Sequence, residues 1–195
     1  VFSRKIKIKD LSCIIGPPIN AAGRIDNANK VVELLLESDV ENLCREIDKN
    51  NNKRKYIERS IYDEAKSLLP YFENKSVNIL YSDTWHKGVL GIVASRLIEI
   101  SYKPTILMTY IEEDDIYSGS ARSIEGFDIY KALTMCSNLL VKYGGHKYAA
   151  GLSIKRENIN EFINKFEQIV KENITEDILT PKIKIDSDIR LNELS

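Results

Sequence analysis

The chain has 195 residues, of which 43% are hydrophobic, so it is long and apolar enough to bury a core. Its 28 basic and 29 acidic residues nearly cancel, which excludes nucleic-acid binding through a global positive field and leaves only a local patch. The three cysteines are far apart and form no CxxC pair, which argues against a disulfide framework or a zinc site and favours a reducing, cytoplasmic setting. No segment approaches the roughly 18 apolar residues of a membrane span.

The first predicted elements are a strand and a long helix. The β-rich segment "FSRKIKIKDLSCII" predicts the last strand of an upstream body, and the start at Val1 indicates a piece of a longer protein. Residues 26–69 carry apolar side chains at spacings compatible with a 3.6-residue period, which predicts a helix. Its centre, "EIDKNNNKRKY", is polar all round, so we predict a helix that crosses solvent between two bodies and lacks tertiary cover around residues 50–52. A loop at the three asparagines is the alternative.

An α/β domain is predicted from residue 71 to residue 174. The segments "SVNILYS", "VLGIVASRLIEISY" and "KPTILMTY" read as strand, helix and strand, a βαβ unit with a parallel strand pair. "IYSGSARSI" then predicts a strand, "DIYKALTMCSNLLVKY" an amphipathic helix and "AAGLSIK" another strand. The last helix, "NINEFINKFEQIVKEN", has one apolar face, formed by Ile159, Phe162, Ile163, Phe166, Ile169 and Val170. "KIKIDSDIRL" predicts a final strand at the edge of this domain or in a following module.

Glycine-bearing segments mark the candidate ligand site, and we predict three of them in loops between strand ends and helix starts, where α/β sheets bind ligands. "TWHKGVLG" places His86 before a helix whose first free N–H groups would attract an anion. "SGSARS" supplies the hydroxyl of Ser120 and the planar donor fork of Arg122, which suits phosphate oxygens. An ordinary tight turn and a solvated arginine are the alternatives for these two segments.

The third segment is "YGGHKYAAG". Gly144 and Gly145 would let a ligand come close to the backbone, and His146 could donate to an anion, although a structural histidine is the alternative. Both histidines of the chain therefore lie in glycine-flanked segments of one predicted domain, which favours a single site. The sequence has no HExxH motif, no nucleophile elbow and no Asp/His cluster dense enough for a metal pair. These residues alone therefore predict a phosphate-binding domain without its own chemistry.

A fourth segment, "GPPINAAGRIDNANK", adds Asn20 and Arg24 just before the long helix. If Arg24 faces the same cleft as Arg122, the long helix holds two halves of one site apart.

Four motifs in the same order resemble the RecJ-type single-strand-specific exonucleases of the DHH phosphoesterase superfamily: "GPPINAAGR", "WHKGVLGIVASR", "GSARSIEGFDIYKAL" and "YGGHKYAAGLSI". The resemblance implies an α/β fold in which a long connecting helix precedes a mixed-sheet DHH-associated domain. Residues 1–24 would be the tail of the catalytic DHH domain, 25–70 the connecting helix and 71–174 the associated domain. Residues 175–195 would lead into an oligonucleotide-binding barrel.

The resemblance also implies a function in DNA repair and recombination: hydrolysis of single-stranded DNA from its 5′ end, with manganese or magnesium held by the DHH domain. This chain would bind no metal itself and would be inactive alone. Ser120 and Arg122 would form a pocket for the 5′ phosphate, and His146, the one residue with a catalytic role, would lie near the scissile phosphate with His86 close by. Asn20, Arg24, Gly144 and Gly145 complete the predicted phosphate-binding set.

The chain departs from the family pattern at Pro18, where RecJ-like sequences usually carry arginine, so a phosphate contact from that position is not expected. Two other functions stay open. The parent protein could be a DHH-superfamily oligoribonuclease or phosphatase, since such enzymes also have a GGH-bearing associated domain. It could also be a nucleic-acid-binding subunit without catalysis, if the DHH metal ligands have been lost.

Overall fold

The computed structural model describes residues 5–36, 40–183 and 185–187, and its larger part is an α/β unit preceded by helices. The helices within these ranges are α1 (Ile8–Asp10), α2 (Gly16–Ile25), α3 (Asn29–Leu36), α4 (Glu41–Leu68), α5 (Leu90–Ser101), α6 (Ile129–Met135), α7 (Ile159–Asn173) and α8 (Glu176–Leu179). The strands are β1 (Asn78–Tyr81), β2 (Thr105–Ile111), β3 (Ile116–Arg122), β4 (Leu140–His146) and β5 (Ala149–Lys155). None of the described helices combines the length and the apolar character needed to cross a membrane.

The five strands form one mixed sheet in the order β1-β2-β3-β5-β4. β1 and β2 are parallel and joined through α5, as the βαβ pattern predicts, whereas every other neighbouring pair is antiparallel. A long helix, α4, precedes this sheet. The predicted fold class, a mixed-sheet α/β domain after a long helix, is therefore confirmed.

The two faces of the sheet are covered to different extents. On one face, α6 and α7 pack against strand residues such as Ile106, Met108 and Leu152, and Phe162 and Phe166 of α7 are fully buried there. This confirms the predicted apolar face of the last helix. On the other face, α4 and α5 cover Leu80 of β1 and Leu107 of β2. That second cluster includes no residue of β3, β5 or β4, so half of this face lies outside it.

The long helix differs from its prediction. Residues 26–28 and Val40 are not helical, so α3 and α4 are separate helices rather than one that starts at residue 26. The centre of α4 is also covered, because α2 packs on it and leaves Ile47 3% and Asn51 7% exposed. The prediction of a solvent-crossing centre is therefore wrong: α2 packs on α4, and Ala21 and Ala22 of α2 are themselves fully buried.

Three further predictions of local structure are wrong. Residues 8–15 are helical rather than a strand, and Ile8 is 87% exposed, so the alternation of lysine and isoleucine does not mark a buried sheet face. The helix predicted over "DIYKALTMCSNLLVKY" ends at Met135, and β4 starts at Leu140. The described part of "KIKIDSDIRL", residues 182, 183 and 185–187, has no strand, and the remainder of this segment lies outside the described residues.

Candidate nucleic-acid interface

The half of this face that lies outside the α4–α5 cluster is built from three rows of paired residues on β3, β5 and β4, and α5 contacts its β3 edge. Arg122, Ala149 and His146 form the first row, Ser120, Gly151 and Gly144 the second, and Ser118, Ser153 and Lys142 the third. We call these nine residues the open face. An open depression of about 310 Å³ lies over its second and third rows. The strand predicted over "IYSGSARSI" is β3, whereas the "YGGH" segment lies in β4 and not in a loop.

Gly144 and Gly151 give the open face a floor without side chains. They are directly paired, both are exposed, and a Cβ atom on Gly144 would have nothing within 4 Å. A Cβ atom on Gly151 would approach only the Gly119 carbonyl, at 3.9 Å. Because packing within the described chain does not require glycine at either position, the pair indicates close approach of a ligand or of another backbone.

Gly145 is a glycine for a different reason. Its φ is 150°, and a Cβ atom there would lie 2.3 Å from the carbonyl oxygen of Ala149 and 2.5 Å from Cα of Ala150. The close approach at Gly145 is therefore made by the partner strand of its own hairpin. Its predicted phosphate contact stays a prediction.

Arg122 is the partly buried cation of the open face. Its Nη1 donates to Ser120 Oγ and to the carbonyl of Ala121, both at 2.8 Å, so the serine and the arginine predicted to act together are in contact. No acidic side chain pairs with Arg122 within residues 5–36, 40–183 and 185–187. Burial, and secondarily the positive charge of Arg24, lower the pKa of Arg122. A partly buried arginine without a counter-ion is a favourable place for an anion.

Arg24 reaches this region from α2. Its Nη1 donates to the carbonyl of Gly88 at 3.2 Å. A Cβ atom on Gly88 would lie only 2.1 Å from the backbone oxygen of Arg24. Asn20 is exposed one turn earlier on α2, so it lies on the same face of that helix as Arg24. The structure therefore brings the Asn20–Arg24 segment and Arg122 to the start of α5, on one side of the molecule.

Gly91 makes room for the guanidinium of Arg122. A Cβ atom on Gly91 would lie 2.3 Å from Nη2 of Arg122 and 2.9 Å from Oγ of Ser120. Gly88 and Gly91 are three residues apart at the start of α5, where one accommodates Arg24 and the other Arg122. Neither glycine was predicted to be a site residue, although both belong to the "TWHKGVLG" segment.

His86 caps the short 3-10 turn Lys87–Val89 that leads into α5. Its Nδ1 accepts a hydrogen bond from Gly88 N at 3.1 Å, and its carbonyl accepts from Val89 N at 3.2 Å. The N–H groups of Gly88 and Val89, which precede α5, are therefore not free to bind an anion. Because Nδ1 accepts, neutral His86 carries its proton on Nε2, which can donate to a ligand. Its predicted phosphate contact could therefore be made only through Nε2.

His146 is the exposed end of the first row. It is separated from Arg122 by β5, at a spacing of about 4.8 Å per strand. Its Nδ1 accepts from Tyr148 N at 3.3 Å, so neutral His146 also presents Nε2–H as a donor. No contact joins His146 to Arg122 or His86 within the described chain. Arg122 and His146 lie at opposite ends of the first row, whereas His86 lies in the turn before α5.

The described residues do not provide a metal site of their own. No group of three or more His, Cys, Asp or Glu side chains that could hold a metal ion is found among residues 5–36, 40–183 and 185–187. The side-chain donors of the open face are instead three serine hydroxyls, one imidazole, one ammonium and one guanidinium, a set suited to an anion. No chemical step of this chain can therefore be assigned to a metal bound by these residues.

The structure is thus a mixed-sheet α/β domain with a glycine-floored open face and an arginine that has no counter-ion among the described residues. Residues 74–172, just over half of the chain, match the DHHA1 domain family, and the chain belongs to this family. This result confirms the resemblance to the DHH superfamily drawn from the four sequence motifs.

The most similar proteins include RecJ enzymes. The chain is 38% identical to the single-stranded-DNA-specific exonuclease RecJ of Haemophilus influenzae over 95% of its length, and 35% identical to that of Bacillus subtilis over 88%. It spans only 34% and 22% of those two relatives. The crystal structure of RecJ in complex with Mn²⁺ from Thermus thermophilus matches 87% of the chain with a TM-score of 0.76 and 30% identity, and the chain covers 26% of that protein.

Proposed function

We propose that this chain binds the 5′-phosphorylated end of single-stranded DNA on its open face, as part of a single-strand-specific exonuclease. The observation that carries the proposal is the Gly144–Gly151 pair, a floor without side chains that packing does not require, beside an arginine without a counter-ion. The similarity to RecJ supplies the substrate class, because those relatives are described as specific for single-stranded DNA.

The residues of the proposed site have separate roles in binding the strand end. Arg122 binds the terminal phosphate through Nη2 and Nε, which have no protein partner within the described chain. Ser120 fixes the guanidinium by accepting from Nη1 at 2.8 Å, and Arg24 adds a second positive charge. His146 donates from Nε2 to the next phosphate, the one to be cleaved. In this assignment His146 contacts the phosphate that is cleaved, which is the catalytic role predicted for it.

Hydrolysis itself is assigned to residues outside this chain. RecJ of Thermus thermophilus has been crystallised with Mn²⁺ and with Mg²⁺, and such an ion supplies an activated water and stabilises the leaving oxygen. Since the described residues hold no metal-ligand cluster, a DHH domain joined to this chain would have to bind the ion. The 195-residue chain should therefore release no nucleotides from single-stranded DNA with manganese. Metal-dependent release that survives rigorous purification would contradict this assignment.

The phosphate pocket is tested by Arg122→Ala in an exonuclease that joins this chain to a DHH domain. A hydrogen bond to a charged group contributes about 1.5–3 kcal/mol, so the variant should bind 5′-phosphorylated single strands at least about tenfold more weakly. Strands with a 5′-hydroxyl should lose much less affinity, because they lack the phosphate that Arg122 contacts. Equal losses on both strands would show that Arg122 is a general electrostatic or structural residue.

A further inference from the structure

The turn that joins β4 and β5 extends the open face beyond its first row. Lys147 and Tyr148 form this two-residue turn, directly after His146 and directly before Ala149. Ala149 is the residue paired with both Arg122 and His146. The turn therefore lies at the end of the sheet where the phosphate of the strand end would be bound.

The backbone of this turn is held in place on three sides. Ser123 N donates to the carbonyl of Tyr148 at 3.0 Å, and Ile129 N donates to the carbonyl of Lys147 at 3.1 Å. Tyr148 N donates to Nδ1 of His146 at 3.3 Å. The side chain of Tyr148 is thus mounted on a backbone fixed to the strand of Arg122 and to the start of α6. Such a mounting fixes the backbone position from which the aromatic ring projects before any ligand arrives.

The ring itself is poorly covered. Tyr148 is 49% exposed, and its hydroxyl makes no hydrogen bond within the described part of the chain. The His146 ring lies edge-on at 6.5 Å between centroids, and Nζ of Lys147 lies 5.4 Å from the Tyr148 centroid. Neither a core contact nor a buried hydroxyl explains an aromatic residue at this position. A large exposed ring beside an anion site and a lysine matches the way single-stranded nucleic acids are bound, by base stacking next to a basic track.

We infer that Tyr148 is a stacking platform for a nucleobase within the first two nucleotides of the bound strand, an inference that rests on the proposed function. Arg122 and Ser120 hold the terminal phosphate, and the adjoining base lies on the Tyr148 ring. Lys147 places a positive charge beside the backbone of the same nucleotides. Since every base has a π-face, this contact adds affinity without sequence preference.

The test measures binding of the 195-residue chain to a 3′-labelled, 5′-phosphorylated oligothymidylate by fluorescence anisotropy. Loss of a base-stacking contact costs about 1–3 kcal/mol, so Tyr148→Ala should raise Kd about fivefold or more. Tyr148→Phe keeps the ring and should bind like the wild type. Tyr71→Ala is the matched control, because Tyr71 is 79% exposed and precedes the sheet.

A second strand, abasic at its first two nucleotides, separates stacking from other effects. On this strand the wild type and Tyr148→Ala should bind alike, whereas abasic sites at the fifth and sixth nucleotides should leave the effect of the variant intact. The inference is overturned if Tyr148→Ala binds the intact strand like the wild type, or if its loss persists on the abasic strand.

Arg122→Ala in the same assay distinguishes failure of the inference from failure of the proposed function. If Arg122→Ala abolishes the preference for a 5′ phosphate while Tyr148→Ala changes nothing, only the stacking role is wrong. If Arg122→Ala leaves that preference unchanged, or if the wild-type chain binds no strand up to its solubility limit, the proposed function and the inference both fail.

Discussion

The covered and uncovered halves of one sheet face contrast most clearly at a single cross-strand pair. Leu107 on β2 and Ser120 on β3 are directly opposite each other, so they share a face of the sheet. Leu107 is fully buried under α5, whereas Ser120 is half-buried at the edge of α5, beside Gly91, and accepts a hydrogen bond from Arg122. In the same row, Gly151 on β5 and Gly144 on β4 are exposed, so the cover provided by α5 ends at β3.

The glycines of the two halves show the same difference. Gly88 and Gly91 lie at the start of α5, where atoms of Arg24 and Arg122 occupy the space a side chain would need. Gly144, on the open face, has empty space in that direction. A glycine can therefore mark a filled contact or a vacant surface, and only the neighbouring atoms distinguish the two.

The largest expected effect is the loss of stability on truncating a side chain of the covered half. Leu107→Ala should lower the free energy of unfolding by about 2–5 kcal/mol, because it leaves a cavity under α5. Ser118→Ala, on the open face, should change it by less than about 0.5 kcal/mol. Urea denaturation followed by circular dichroism measures both. Comparable losses in the two variants would mean that the open face is also packed.

The two glycines at the start of α5 should respond differently to alanine. Gly88→Ala places a Cβ 2.1 Å from a backbone oxygen of Arg24, which cannot move without α2, so it should cost about 1–3 kcal/mol of stability. In Gly91→Ala the nearest atom is the end of a flexible side chain, Nη2 of Arg122. The fold should tolerate that variant, but Arg122 should shift and the preference for a 5′ phosphate should fall.

A double variant tests whether Gly91 acts through Arg122. In the Arg122→Ala background, Gly91→Ala should have no further effect on the ratio of binding to 5′-phosphorylated and 5′-hydroxyl strands. If Gly91→Ala lowers this ratio by the same factor in both backgrounds, Gly91 does not work by positioning Arg122.

Gly144→Ala should separate stability from binding. Alanine in a strand interior is favoured over glycine by about 0.5–1 kcal/mol, and nothing lies within 4 Å of the new methyl group, so unfolding should become slightly harder. Binding of single-stranded DNA should weaken, because the methyl group raises the floor beneath the strand. Thermal denaturation and anisotropy measure the two effects. Unchanged affinity would show that no ligand approaches this floor.

The smallest expected effect on stability near neutral pH concerns the thiol of Cys136. Cys136 is fully buried, and burial raises the pKa of its thiol to about 11, whereas Cys13 and Cys44 are exposed. At pH 8 a thiol reagent should therefore label two cysteines of the native chain and not Cys136. Because the folded state holds this proton more tightly than the unfolded state, the stability it contributes is complete below pH 9 and is lost between about pH 9 and 11.

Cys136→Ala is the control for that pH dependence. The difference in unfolding free energy between the wild type and the variant should shrink as the pH rises from 9 to 11. A difference that stays constant across this range would show that the thiol titrates normally.

The sequence predicted correctly those helices and strands whose buried side chains recur at a regular spacing. The unit from β1 through α5 to β2 and the apolar face of α7 follow from runs of buried residues. β4 was missed because it is an edge strand in which only Leu140 and Tyr143 are partly buried, so it shows no alternation and its apolar residues extend the pattern of α6. The packing of α2 on α4 was missed because small buried residues of α2, such as Ala21 and Ala22, carry no signal for a distant contact.

The candidate site was predictable in its residues and not in its geometry. Ser120 and Arg122 stand out as a hydroxyl and a guanidinium among small residues, and they are in contact. Which glycines leave open space could not be predicted, since Gly145 is packed by its own hairpin while Gly151, in the next strand, is open. That distinction depends on strand pairing, which the sequence does not reveal.

The central claim is that a phosphorylated strand end binds the open face beside Arg122. The most direct test is a titration of the ¹⁵N-labelled chain with 5′-phosphorylated oligothymidylate, followed by amide chemical shifts. The largest shifts should fall in residues 118–123 and 143–149, and they should shrink when the oligonucleotide carries a 5′-hydroxyl. Shifts confined to the covered face around α7, or identical shifts with both oligonucleotides, would contradict the account.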